Sequence, residues 1–452
     1  MASTERADFL GTMPMGKLLA RIAIPGSVAL IVNSAYNLVD TIFVGQGVGP
    51  IGIGAVSLLF PFRIIVMSFG NLVGIGAASV VSRALGAGDG ERARAAAGTA
   101  LTSSALIGVV VALVGSIFAP SLVRLLGARG ELFEPTFAYT RIILLSEPFL
   151  IFNFAANFLI RGEGRARVAM VTLASGVLLN IGLDPLFIFG FDWGVAGAAL
   201  ATLYGHMLTT LLSVAFFVRG TGAVRITRTS LRPRVDVLRE ALAIGTSGFV
   251  RQISSGVVQL VRNNLIVAAA GALAVSAVGV VFRMILILAM PAMGIAQAMP
   301  PIVGYNFGAG NPDRVRVAVR LAIGISSAIM AVGMVVLLGF PAAVFRIFTA
   351  DAELIAIGVP FMRVNAFALL VFPTYFIGTA FYQAIGDPMR ALAVAVSRPL
   401  FGLVFMLVGI RAVGPIGVVA ADPLAIAIGA VAVTVFLLHS FRTDRRLSVG
   451  AG

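Results

Sequence analysis

Twelve runs of about twenty apolar residues, centred near residues 31, 68, 105, 148, 178, 206, 255, 290, 327, 369, 400 and 428, leave little chain for anything else. A hydrocarbon core about 30 Å thick is crossed by roughly 20 apolar residues in a helix, which satisfies its own backbone hydrogen bonds. Only 12% of the chain is charged and 59% is hydrophobic, whereas soluble domains are roughly a quarter charged. The pattern predicts an all-α membrane protein of twelve transmembrane helices in contact with the lipid bilayer.

A net charge of +14 could signal nucleic acid, so the placement of the basic residues decides. If the termini share a side, that side collects Arg6, Lys17, Arg21, Arg83, Arg92, Arg94, Arg161, Arg165, Arg167, the six arginines from Arg219 to Arg239, and Arg314, Arg316, Arg320, Arg390, Arg398, Arg442, Arg445 and Arg446. The opposite loops hold Arg124, Arg129, Arg346 and Arg411. The positive-inside rule puts the basic side, and with it both termini, in the cytoplasm, as an even helix count requires. Nucleic acid is not an expected partner. The expected location is the plasma (inner) membrane, and the expected state is monomeric. The chain has no cysteine, which removes disulfide and thiol chemistry, and the opening stretch MASTERADFLGTMPMGK contains acids and no apolar run, so no cleaved signal is expected.

The two halves follow one plan. A shift of 222 lays Gly49, Ala55 and Val56 on Gly271, Ala277 and Val278, GAGD (86–89) on GAGN (308–311), and Arg92 and Arg94 on Arg314 and Arg316. Arg141 then falls on Arg363 and Gly164 on Gly386, and GVAGAALAT resembles GPIGVVAAD at a shift of 220. Six helices is an even number, so the two bundles are expected as parallel repeats related by a pseudo-two-fold axis along the membrane normal. The predicted organisation is a lobe over residues 1–218, a basic linker over 219–239, a second lobe over 240–440 and a tail over 441–452. Such a design suits alternating access to a shared cavity.

Four acids fall within predicted spans: Asp40, Glu147, Asp184 and Asp422. A central Asp costs about 2.5–3.5 kcal/mol on insertion scales and needs a partner, water or a proton. A structural ion pair is the competing reading for each. In the first span Asn33, Asn37 and Asp40 share a side, with Tyr36 adjacent; in the fifth, Asn180 and Asp184 are i, i+4. The fourth span adds Asn153 and Asn157 and the sixth adds Thr202. Together these make an oxygen-rich pocket suited to a proton or a small hard cation such as Na⁺. The repeat puts Arg262 at the position of Asp40, Tyr375 at Asn153, Gly402 at Asn180 and Met406 at Asp184, so the second half has lost this chemistry. Arg262 is expected to pair with Asp422, while the arginines at 63, 141, 251, 283 and 363 are expected to reach the interface. Pro25, on the helix of Asp40, is a candidate bend. His206 and His439 have no evident ligand partners, no metal cluster or nucleophile triad can be assembled, and an enzyme is not expected.

At this point the residues resemble a known family, the multidrug and toxic compound extrusion (MATE) transporters, within it the DinF-like branch. The segments that carry the likeness are YNLVDTIFVG, SRALGAGD, RGEGR, NIGLDPLFIFG and MPPIVGYNFGAGN, in order along the whole chain. The resemblance implies a V-shaped pair of six-helix lobes that exports bulky, often cationic and amphipathic drugs by antiport with H⁺ or Na⁺, with no other cofactor. It puts the coupling acid at Asp40, its proton or Na⁺ partners at Asn180, Asp184 and Thr202, amides at Asn153 and Asn157, and the bend of the first helix at Pro25. Tyr36, Asn37, Asn153 and Asn157 are the candidate substrate contacts. The NorM-like branch carries acids in helices 7 and 10; here helix 7 has Arg251 and Gln252 and helix 10 has none, so a second-lobe cation site is not expected. A flippase for a lipid-linked or lipid-like substrate is the alternative, because Arg251 and Arg262 could face an anionic headgroup.

Overall fold

A computed structural model describes residues 7–444 and 447. Arg6, Arg445, Arg446 and the rest of the predicted tail beyond residue 447 lie outside these residues. Among the described residues eleven helical runs are long and apolar enough to cross a membrane. One of them, 74 residues from Val235 to Gly308, folds back at Gly271, where φ is 79° and ψ −179°; this region of the backbone is essentially restricted to glycine. The count is therefore the twelve expected.

The helices are α1 (Met15–Val48), α2 (Pro50–Gly86), α3 (Gly90–Ile117), α4 (Phe133–Gly162), α5 (Ala166–Pro185), α6 (Gly194–Arg219), α7 (235–270), α8 (272–308), α9 (Pro312–Gly339), α10 (352–385, with a break at Phe367), α11 (Pro388–Val413) and α12 (Pro415–Thr443). The internal repeat is written into the backbone. Positive φ recurs at Gly49 and Gly271, at Gly88 and Gly310, at Gly164 and Gly386, and at Gly194 and Gly414. The short helix Ala119–Leu125 that leads into α4 likewise has its counterpart in Pro341–Arg346 before α10.

Two compact units divide the chain: 7–10 with 28–245, and 11–27 with 246 onward. Residues 220–245 belong to the first unit because their contacts are there. Thr102 donates to the Leu231 carbonyl (2.9 Å), the Arg234 amide donates to Thr99 (3.1 Å), and Arg83 and Arg92 both pair with Glu240. In the first unit, α1, α2, α4, α6 and the turn after α5 share a core of Val44, Ala55, Leu59, Tyr139, Ile143, Ile188, Val195, Ala198 and Ala199. The α5 and α6 backbones approach at Gly176 and Gly205, where an added methyl on either would overlap the other's carbonyl oxygen. Small residues at membrane helix crossings permit this closeness, and here it sets the spacing of the side chains described next. The first part of α1, up to Ser27, belongs to the second unit, where Ser27 stands against Gly294 of α8.

Candidate functional site

The polar residues of α1, α5 and α6 converge inside the first unit. Asn180 Nδ2 donates to Thr202 Oγ1 (3.3 Å), and Tyr36 Oη lies 3.4 Å from the same oxygen. Asn180, Thr202 and Asp184 are almost fully buried. Asp184 has no protein hydrogen-bond partner at either oxygen, and Asn180 Oδ1 and Asp40 Oδ1 also lack one. Asp40 lies within electrostatic reach of Asp184. Four buried oxygens without a hydrogen-bond partner, three of them on the two carboxylates, gather acceptors that fit a proton or a hard cation and would be costly if left unfilled. Directly after Asp184 the helix meets Pro185 and then widens into a π-turn over Leu186–Gly190; such turns are frequent at functional sites. Among the described residues no group of three or more His, Asp or Glu side chains could hold a metal ion.

Sequence reasoning missed part of this cluster. Arg63 of α2 does not reach toward the interface: its Nε is buried, and its guanidinium lies within reach of Tyr139, Glu147, Tyr36 and Asp40. It is held inward because four hydroxyl or carboxyl groups, two from α1 and two from α4, lie there. Glu147 is fully buried with both oxygens unpartnered. It was visible as an intramembrane acid, but no local pattern tied it to Asp40. Tyr139 gave no signal in the sequence.

The amides are hydrogen-bonded within the protein. Asn153 donates to the His206 carbonyl (2.9 Å) and accepts from Thr210 (2.9 Å), which ties α4 to α6. Asn157 donates to the Ala169 carbonyl of α5 (3.0 Å). Asn37 is exposed and donates to the Asn33 carbonyl of its own helix (2.7 Å). In the second unit the expected pair is corrected. Asp422 is bound by Arg398, Nε and Nη2 each 3.0 Å from one carboxylate oxygen. Arg262 instead lies over the Phe282 ring, 3.6 Å from its centroid. Arg398 wins because a planar guanidinium on the adjoining helix α11 meets the carboxylate bidentately.

The pattern of the MatE family model matches residues 25–186 and 252–408, one stretch in each half. The chain belongs to this family, the MATE transporters. The relatives include the multidrug export protein MepA of Staphylococcus aureus (strain MSSA476), 29% identical over 392 residues that cover 87% of this chain and 86% of MepA. Two solved structures described as MATE in the bent and in the straight conformation are each 27% identical. The bent form matches with a TM-score of 0.90 over 99% of this chain and 98% of its own, the straight form with 0.89 over 98% and 99%. The first matched stretch ends just past α5 and the second ends within α11, so the pattern spans Asp40 and Asp184 in the first half and Arg262 and Arg398 in the second.

Proposed function

We propose that this MATE protein is a cation-coupled antiporter that exports bulky, often cationic and amphipathic compounds, with both termini in the cytoplasm. The observation that carries the reading is the set of unpartnered oxygens on Asp184, Asp40 and Asn180, present in one half and replaced in the other by Met406, Arg262 and Gly402. A proton or Na⁺ taken up at Asp40 and Asp184, with Asn180 and Thr202 completing the oxygen set, neutralises the first lobe; Arg63 offsets part of the charge of the unloaded state. Only a ligand that binds one conformation better can shift the balance between two, and a cation at this carboxylate pair meets that condition.

The name of the MepA relative supports drug export, and relatives solved in a bent and in a straight conformation support a carrier with two shapes. On this chain the division between the compact units falls between Ser27 and Val28, within one turn of Pro25. A proline lacks the N–H that would brace the helix at that point.

The test is efflux of a cationic dye from vesicles with pH and Na⁺ gradients imposed separately. Asp40→Asn is expected to lower gradient-driven efflux at least tenfold while the protein remains folded and inserted; undiminished efflux from that variant would sink the coupling role. A flippase for a lipid-like substrate is the second reading, favoured by the arginines of the second unit. Failure of the native protein to move cationic dye under either gradient, with movement of a labelled anionic lipid, would select it.

A further inference from the structure

The second unit carries more positive charge in its membrane part than its own residues balance. Arg251 and Arg262 of α7, Arg398 of α11 and Asp422 of α12 lie within electrostatic reach of one another as a chain, Arg251 through Arg398 and Arg262 through both Arg398 and Asp422. Asp422 is the only acid among them, and both its oxygens are used by Arg398. Neither Arg251 nor Arg262 makes an ion pair among the described residues. Two guanidinium charges are thus uncompensated, three turns apart on one side of α7, a rise of about 16 Å. Each would cost about 2.5–3.5 kcal/mol at a helix centre without water or an anion.

Tyr375 of α10 sharpens the location. Its ring is fully buried, yet its hydroxyl has no hydrogen-bond partner, an arrangement that costs about 1–3 kcal/mol unless something fills it. Arg251 and Tyr375 meet at one ring: the Arg251 guanidinium lies 5.8 Å from the Phe376 centroid, and Tyr375 packs edge-on to Phe376 at 5.4 Å. On the other side, Gly429 stands against both the Tyr375 ring and Ser397, the residue before Arg398. The Tyr375 hydroxyl lies within electrostatic reach of both the Arg398 and the Arg251 guanidinium.

We propose that the second half binds the oxyanion of an amphiphile, a phosphate or carboxylate group, between the Arg251 guanidinium and the Tyr375 hydroxyl, with Arg398 behind them and Arg262 further along α7. Arginine's planar fork suits both anions, and the phenol adds a donor that no protein group uses. Asp422 keeps Arg398 oriented without neutralising the other two arginines. The site is independent of the coupling cation and of the drug class.

The test uses purified full-length protein and three probes: dioctanoyl phosphatidylglycerol, dioctanoyl phosphatidylcholine and inorganic phosphate, with binding read by native mass spectrometry and by the shift in unfolding temperature. Phosphatidylglycerol is expected to bind at least tenfold more tightly than phosphatidylcholine. Arg251→Gln should remove that preference, Arg251→Lys should keep part of it, and Tyr375→Phe should weaken it severalfold. Tyr375→Phe deletes a buried oxygen without a protein partner, so the ligand-free protein should unfold at an equal or higher temperature, which separates lost binding from lost folding. Inorganic phosphate binding with the same dependence on Arg251 would identify the anion alone as sufficient; binding of the lipid only would identify a headgroup site. Equal affinity for the two lipids, or a preference that survives Arg251→Gln and Tyr375→Phe, overturns the proposal.

Discussion

At the scale of single residues, the chain separates buried acids that have protein partners from buried acids that lack them. Asp184 and Glu147 have none, whereas Glu163, at the end of α4, accepts from the amides of Ala223 (2.6 Å) and Val224 (3.2 Å) through Oε2. Burial pushes the Glu163 carboxyl up to about 8, against the opposing pull of those two amides and of Arg165. The folded protein therefore holds a proton there that the unfolded chain has lost above the ordinary carboxylate range. The associated stability is complete at pH below about 4.5 and is lost as pH rises to about 8, by about 1.4 kcal/mol for each pH unit crossed. Glu163→Gln cannot titrate and keeps an acceptor for both amides, so its unfolding temperature should fall less between pH 5 and 8 than that of the native protein. Parallel pH profiles for the two would remove this account. The sequence displays RGEGR plainly; it does not display that Gly222 lies so close that the carboxylate can reach the loop backbone.

At the scale of helices, the site depends on how closely α5 and α6 run. Gly176 and Gly205 let the two backbones approach, and the Asn180 to Thr202 hydrogen bond spans the same crossing. Gly176→Val would force the helices apart by wedging against Thr209 and the Gly205 carbonyl. It is expected to lower gradient-driven efflux severalfold although it touches neither Asp40 nor Asp184; efflux equal to native would show that the crossing does not set the site. The helices were legible in the sequence because their length is fixed by the bilayer and their apolar runs are uninterrupted. The i, i+4 placement of Asn180 and Asp184 was legible for the same reason, since helical spacing is local. The hydrogen bonds of Asn153 and Asn157 to the His206 and Ala169 carbonyls were not legible, because which carbonyl stands opposite an amide depends on how the helices pack.

At the scale of the whole molecule, one six-helix plan is used twice with different chemistry. The shared plan is visible in paired glycines: Gly49 and Gly271 both take φ near 80° with extended ψ. No atom lies near the position of a Cβ at either, so an alanine there is strained by the backbone alone. Gly49→Ala and Gly271→Ala should each destabilise by about 1–3 kcal/mol, and by similar amounts, whereas Gly279→Ala inside α8 should not destabilise. A difference of unfolding temperature between the first two as large as their separation from native would contradict the equivalence of the turns. The sequence by itself determined the twelve helices, the repeat and the asymmetry of Asp40 against Arg262, because length, periodicity and self-similarity are properties of the chain alone. Which charge meets which was decided by tertiary structure. Arg63 turns inward to the acids of the first half and Arg398, not Arg262, takes Asp422, since ion pairing follows distances between helices that no spacing along the sequence encodes.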